Sequence, residues 1–256
     1  FAEYPSWVLG VTEVTPLSMA EAYATFANRG VHCNPIILQS VQTQDGTEVE
    51  IPSADCKQVI SSDVADGVSS ILSTVMTQGT GIPARLPDGR PQAGKTGTTN
   101  NTQSVWFAGY TPDMAGVAYI AADVTSSRFK GKEVKSIDGL RMSTGKTLRG
   151  SGGEDAGGIW KSAMSEALKD IPASSFQEPN KRILEGEKVP VPSVAGMTEE
   201  QARQTLEAEG FSVGRTEQFS PQPAGTYLGK VFPSTRAAKY STVQLVYSKG
   251  PIPTDT

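Results

Sequence analysis

The segment that constrains this chain most runs from Gly89 to Tyr110. Gly89 to Thr96 spells G-x-x-x-x-G-K-T. That pattern cradles phosphate when a buried strand precedes it and a helix follows, because backbone N–H groups and a helix N-terminus then face the anion. Neither flank fits. Upstream, residues 81–91 hold three prolines and no apolar run. Downstream, Gly97-Thr98-Thr99-Asn100-Asn101-Thr102 joins glycine, β-branched threonine and turn-prone asparagine, which is poor helix material. Val105 to Tyr110 then reads as a strand, Thr111-Pro112-Asp113 as a turn and Gly116 to Ala121 as another strand. The favoured reading is strand–turn–strand with Lys95 on the first strand. A nucleotide-binding loop is the alternative.

With 256 residues the chain has room for one large or two modest domains. A net charge of −4 gives no reason to expect a nucleic-acid surface. No apolar run approaches the ~20 residues that cross a bilayer, and no signal peptide is visible. The first residue is Phe1 instead of Met, so a piece of a longer polypeptide is expected. Cys33 and Cys56 are the only cysteines and His32 the only histidine. They cannot supply a four-ligand zinc site, so no metal is expected. The cysteines flank an expected hairpin: Pro35 to Val41, a turn at Asp45-Gly46, then Thr47 to Ile51. Counted outward from the turn, they fall within about two positions of facing each other, close enough for a disulfide. Two unpaired buried thiols are the alternative, and an extracytoplasmic setting favours the bridge.

Thr15 as N-cap and Pro16 at the first helical position open a helix that Gly30 stops, with Leu17, Ala20, Tyr23, Ala24 and Ala27 expected on a core-facing side. A second helix is expected from Ser61-Ser62-Asp63 through Val64, Val68, Ile71, Leu72, Val75 and Met76 to the loop Gln78-Gly79-Thr80-Gly81. That loop reads either as one side of an active cleft or as a helix end with spare glycines. Ser126 to Glu154 is polar and without period. It contains two S-x-x-K matches, Ser127 to Lys130 and Ser143 to Lys146. A nucleophilic serine in that motif must begin a buried helix so that the lysine one turn on can take its proton. Neither match has an apolar helical face behind it, so neither is favoured. A third helix is expected over 157–168 with Ile159, Trp160, Ala163, Met164 and Ala167 inward, closed by Ile171-Pro172. The polar stretch 173–188 reads as a linker.

Beyond it the character changes. Val189 to Met197 leads to Thr198, with Gln201 three residues on and Gly210 after the last turn, a complete helix signature. Strands are expected over Phe211 to Glu217, Tyr227 to Phe232 and Thr242 to Tyr247. One helix on three strands closes a small core in about 60 residues.

Two resemblances cover nearly the whole chain. Residues 1 to about 172 resemble the C-terminal half of the transpeptidase domain of a class A, bifunctional penicillin-binding protein. The matching features, in the family's order, are Val14-Thr15-Pro16-Leu17 with its helix, Gly79-Thr80-Gly81, Gly94-Lys95-Thr96-Gly97-Thr98-Thr99, Trp106-Phe107-Ala108-Gly109-Tyr110-Thr111-Pro112, and Ile159-Trp160-Lys161. Residues 189–250 resemble a PASTA module through Val191 to Met197, the helix ending at Gly210, and Ser241-Thr242-Val243 to Ser248-Lys249-Gly250. The glycine this family carries a few residues after Pro233 is missing, so the loop before the last strand is expected to differ. Residues 251–256 form a tail.

The resemblance implies an α/β (α+β) fold, a penicillin-binding-protein/β-lactamase-like antiparallel sheet with flanking helices, incomplete in this chain, plus the small PASTA domain. It implies a serine D,D-transpeptidase that attacks the D-Ala-D-Ala bond of a peptidoglycan stem peptide and is acylated by β-lactams. No cofactor is implied, and the location would be the outer face of a bacterial cell membrane, held by an N-terminal anchor. The family's motif order is S-x-x-K, S-x-N, K-T-G. The sequence contains no S-x-N, so the nucleophile is expected in the remaining N-terminal part of the same protein and this chain alone is expected to be inactive. Lys95 and Thr98 carry the catalytic expectation, with Lys95 holding the substrate carboxylate and Thr98 N–H serving as an oxyanion donor. Thr96, Gly97, Thr98 and Thr99 form the expected substrate-binding strand. The rival function is a non-catalytic wall-binding protein.

Overall fold

The computed structural model describes residues 10, 12–123, 125–127, 129–131 and 135–252. Two units, 1–180 and 181–256, form separate compact bodies.

In the first unit, α1 (Pro16–Ala27) starts where Thr15 Oγ1 accepts the Ser18 N–H at 3.1 Å. Its orientation departs from the sequence expectation in part: Leu17 is 62% exposed and Ala24 exposed, Ala20, Tyr23 and Ala27 are half-buried, and Thr25 is buried. A polar helical side chain tolerates this because the Thr25 hydroxyl donates to Glu21 O, one turn back. Two short ladders follow, the outer one pairing β1 (Val31–His32) with β4 (Lys57–Gln58) and the inner one pairing β2 (Val41–Gln42) with β3 (Glu48–Val49). Only the residues nearest the Asp45-Gly46 turn pair in the inner ladder, so the run Pro35–Ser40 read as strand is irregular. Cys33 and Cys56 form a disulfide between the two ladders, with Cα atoms 4.1 Å apart.

Helix α2 (Ser62–Thr77) starts at the Ser61 cap. Its buried side is Ala65, Asp66, Gly67, Ser69 and Met76, and Ile71 is 64% exposed. Small residues let the helix approach the sheet closely, which outweighs the apolar stripe as the determinant of its rotation. The sheet itself runs β5 (Ala93–Thr98), β6 (Ser104–Tyr110) and β7 (Ala115–Ala121), all antiparallel, in the order β5-β6-β7. One face takes α1 and α2. There, Tyr110 donates to or accepts from Ser69 Oγ at 2.8 Å and meets the Tyr23 ring edge-on.

The other face takes α3 (Gly157–Ala167), which a π-helical turn over Gly152–Ala156 precedes. Gly94, Gly109 and Gly116 lie in register across the three strands, and Gly109 and Gly116 form a slot for Trp160. A Cβ at 109 would stand 2.8 Å from the indole, whose Nε1–H donates to Gly109 O at 3.2 Å. The inner stripe of α3 is Trp160, Met164 and Leu168, an i, i+4, i+8 row. Ile159, Ala163 and Ala167, expected inward, are exposed. The boundary between the two units falls within the stretch 173–188, whose first residues touch the first unit: Ser174 N–H donates to the Asp113 carboxylate and the Phe176 ring meets Tyr110.

The second unit begins with α4 (Lys181–Glu185). Strand β8 (Lys188–Pro190) pairs with β11 (Arg236–Ala238), and β9 (Ser212–Gln218), β10 (Tyr227–Phe232) and β12 (Thr242–Ser248) form a sheet ordered β10-β12-β9, with β12 parallel to β9. Helix α5 (Glu199–Ala208) carries the full reciprocal cap between Thr198 and Gln201. It buries Ala202 and Leu206 against Phe211, Val243 and Leu245. In the loop that lacks the family's glycine, Tyr240 takes φ +64°.

Candidate functional site

Lys95 sits in the middle of β5, and the phosphate-loop reading of Gly89 to Thr96 is contradicted. Residues 93–98 are a strand paired with β6 instead of a loop wrapped on a helix end, and after Thr98 only a single 3-10 turn at Asn100–Thr102 precedes the next strand. The candidate site is the outer edge of this strand. Thr99 N–H donates to Ser104 O at 3.0 Å. With Gly97 opposite Trp106 and Lys95 opposite Ala108, residues 95, 97 and 99 turn their N–H and C=O groups toward β6. Thr96 and Thr98 turn theirs to the open edge. Lys95 is exposed, and its Nζ donates to Thr96 O at 2.9 Å, which places an ammonium at that edge.

The expected site residues are not all brought to one point. Side chains alternate along a strand, so Lys95 and Gly97 share one face and Thr96 and Thr98 the other. Thr96 Oγ1 bonds to Thr80 Oγ1 at 2.7 Å, which joins the Gly79-Thr80-Gly81 loop to the strand. Thr98 is exposed. Gly97 lies over Trp106, where a Cβ would stand 3.2 Å from the tryptophan Cβ. The Thr99 hydroxyl is engaged elsewhere: it accepts the Ser104 N–H at 2.8 Å and closes the hairpin. Cys33 and Cys56 belong to the ladders at 31–58, apart from this strand in the sheet order.

Neither S-x-x-K serine begins a helix. Ser143 to Lys146 forms the tip of a hairpin bridged at Arg141 and Thr147, with Gly145 at φ +87°. Ser127 and Lys130 lie in a turn closed by Lys130 N–H to Ser126 O, and Arg128 lies outside the described residues. Among the described residues no cluster of three His, Cys, Asp or Glu could hold a metal.

The turn at 149–155 packs beside the candidate strand, which the sequence reading does not anticipate. Ser151 Oγ accepts the Glu154 N–H, a serine cap three residues before a glutamate, and that spacing in the sequence was the available signal. Gly152 lies against the strand: a Cβ there would meet Gly97 O at 2.9 Å and Thr96 Cβ at 3.1 Å. A groove of about 540 Å³ lies on the β7 side, with Ile120, Met142, Lys146, Asp155 and Ile159 in its wall.

Comparison with known proteins matches this arrangement. Residues 4–137, more than half of the chain, match the penicillin binding protein transpeptidase domain, and residues 189–249 match the PASTA domain. Penicillin-binding protein 1A of Aquifex aeolicus is 30% identical over 181 residues, covering 71% of this chain and 22% of that protein. The protein of the same name from Neisseria meningitidis serogroup B is 30% identical over 179 residues, covering 68% of this chain and 20% of its own length. The chain thus spans about a fifth of these curated relatives. The structure of PonA1 from Mycobacterium tuberculosis in complex with penicillin V superposes with a TM-score of 0.54 at 30% identity, over 68% of this chain and 44% of that one. With a family match over most of the first unit and the K-T-G strand at a sheet edge, this chain belongs to the penicillin-binding-protein transpeptidase family and carries a PASTA domain.

Proposed function

We propose that residues 1–180 form one wall of the acyl-transfer cleft of a peptidoglycan D,D-transpeptidase, with the nucleophilic serine supplied by a segment outside these 256 residues. The open edge of β5 is the observation that carries this reading. The substrate is a stem peptide ending in D-Ala-D-Ala. Its acyl donor lies along β5 like an added strand, and glycine at 97 leaves room on that face. Lys95 sets its ammonium beside the terminal carboxylate and tunes proton transfer at the serine. The Thr98 N–H, aimed outward, stabilises the oxyanion of the tetrahedral intermediate, an interaction worth roughly 3 kcal/mol per donor. Thr98 and Thr96 offer hydroxyls to the carboxylate, and Thr99 supports them by closing the hairpin.

β-Lactams enter the same cleft because the ring carbonyl and carboxylate reproduce the dipeptide. The PonA1 complex with penicillin V supports this for a relative. The expected setting is the outer face of the membrane, with the anchor elsewhere in the polypeptide. No helix among the described residues is long and apolar enough to cross a bilayer. The PASTA domain is proposed to bind peptidoglycan fragments or β-lactams weakly. Titration of residues 181–256 with muropeptides tests that, and a spectrum without shifts assigns it a spacer role.

The test of the main reading is labelling by a fluorescent penicillin of the polypeptide that joins this chain to its serine-bearing segment. Lys95→Ala should slow labelling by about 100-fold or more. Undiminished labelling removes Lys95 from the mechanism.

A further inference from the structure

We propose that Asp155 is a positioning residue for the substrate-binding strand, acting through the 149–155 turn on Thr96; this rests on the cleft assigned above. Asp155 is 1% exposed, in the π-helical turn before α3. Its Oδ2 accepts two backbone donors, Arg149 N–H at 2.8 Å and Ser151 N–H at 3.2 Å. Its own N–H donates to Ser151 O at 2.9 Å. The carboxylate therefore gathers the turn from inside. Among the described residues Oδ1 accepts no hydrogen bond, and it forms an ion pair with Lys146 Nζ at 3.4 Å, from the tip of the 141–147 hairpin.

What the carboxylate fixes is the glycine pair beside it. The Gly152 backbone rests on β5 and β6, so near that a Cβ would stand 2.7 Å from Trp106 O, 2.9 Å from Gly97 O and 3.1 Å from Thr96 Cβ. A Cβ at Gly153 would stand 2.1 Å from Thr80 O. Thr80 and Thr96 share a hydroxyl–hydroxyl bond. Asp155 thus governs where Gly152 and Gly153 lie, these two set the spacing between Thr80 and β5, and that spacing aims the Thr96 hydroxyl. A buried carboxylate is a costly way to hold a turn, since desolvation opposes it. Its placement behind the strand that would grip a substrate carboxylate gives that cost a use.

A turn that only kept the fold together would, when damaged, slow every substrate equally. A positioning turn has a narrower signature. The experiment compares acylation rates, in the serine-containing polypeptide, for a β-lactam bearing its free carboxylate and for the methyl ester of the same compound. The wild-type protein should prefer the acid, and Asp155→Ala should cut that preference by about ten-fold with the ester rate changed little, as expected when a charge-assisted contact is misaimed. Asp155→Asn keeps an oxygen for both amides and should retain the preference within about two-fold. If alanine at 155 prevents folding, Asp155→Ser, which keeps an acceptor for one amide, should lose about three-fold. An equal loss on acid and ester, or an unchanged preference in the alanine variant, overturns the inference and leaves the cleft standing. A wild-type protein indifferent to the carboxylate overturns both.

Discussion

In the C-terminal unit Ala202, Leu206, Val243 and Leu245 are wholly buried, and all four are small or apolar side chains on the expected helix and last strand. In the N-terminal unit, α1 and α2 depart from the pattern in part: Leu17 and Ile71 are mostly exposed and Thr25, Asp66 and Ser69 buried, while Tyr23 and Val68 are half-buried and Met76 is buried. The difference lies in what each helix packs against. Helix α5 covers a small sheet whose side chains are large, and its inward residues Ala202 and Leu206 fit among Phe211, Val243 and Leu245. Helices α1 and α2 approach a sheet through small and hydrogen-bonded groups, and their apolar outer sides remain uncovered among the described residues. Both units enclose a core, and what sets the first apart is that Leu17 of α1 and Ile71 of α2 stay outside it.

Core truncations should separate the two cases most strongly. Trp160→Ala and Leu206→Ala should each cost about 3–5 kcal/mol, since both side chains are fully buried. Ile71→Ala should stay within about 0.5 kcal/mol. Denaturant unfolding of each unit checks this, and a large loss at Ile71 would break the contrast. Next in size, replacing Cys33 and Cys56 by serine should lower the stability of residues 1–180 by about 2–4 kcal/mol and leave residues 181–256 unchanged, as read by thermal unfolding. The Thr198 capping box predicts a loss of about 1 kcal/mol for Thr198→Ala in the C-terminal unit.

The smallest effect is a titration that each unit performs for its own reason. Burial pushes the Tyr110 hydroxyl up to about 12, against a lowering by its bond to Ser69. Burial, aided by Glu199, pushes Tyr247 up to about 12 as well. The folded protein holds both protons more tightly than the unfolded chain, which releases them near pH 10. Their stabilisation is complete below about pH 10 and is lost as the pH rises toward 12. Tyrosinate absorbance should show Glu199→Gln lowering the Tyr247 titration while Tyr110 stays in place.

Much of this architecture was legible in the residues. The caps at Thr15, Ser61 and Thr198 are local chemistry, and each opens its helix as the sequence indicates. Lys95 could be placed on a strand because glycine, threonine and asparagine after it cannot continue a helix. Helix rotation was not legible, because apolar periodicity reports a face without saying which neighbour claims it. Asp155 was missed for a related reason. Its partners are backbone amides of Arg149 and Ser151, which leave no trace in side-chain pattern. The glycine slot for Trp160 was equally hidden, since Gly109 and Gly116 become neighbours only through strand register.

The most direct test of the cleft is a crystal structure of the serine-containing polypeptide acylated by a penicillin. The account predicts the acyl group running along the outer edge of β5, with its carbonyl oxygen about 2.7–3.1 Å from the Thr98 amide nitrogen and its carboxylate beside Lys95. An acyl group seated away from that edge, with the Thr98 amide facing only solvent, would contradict it.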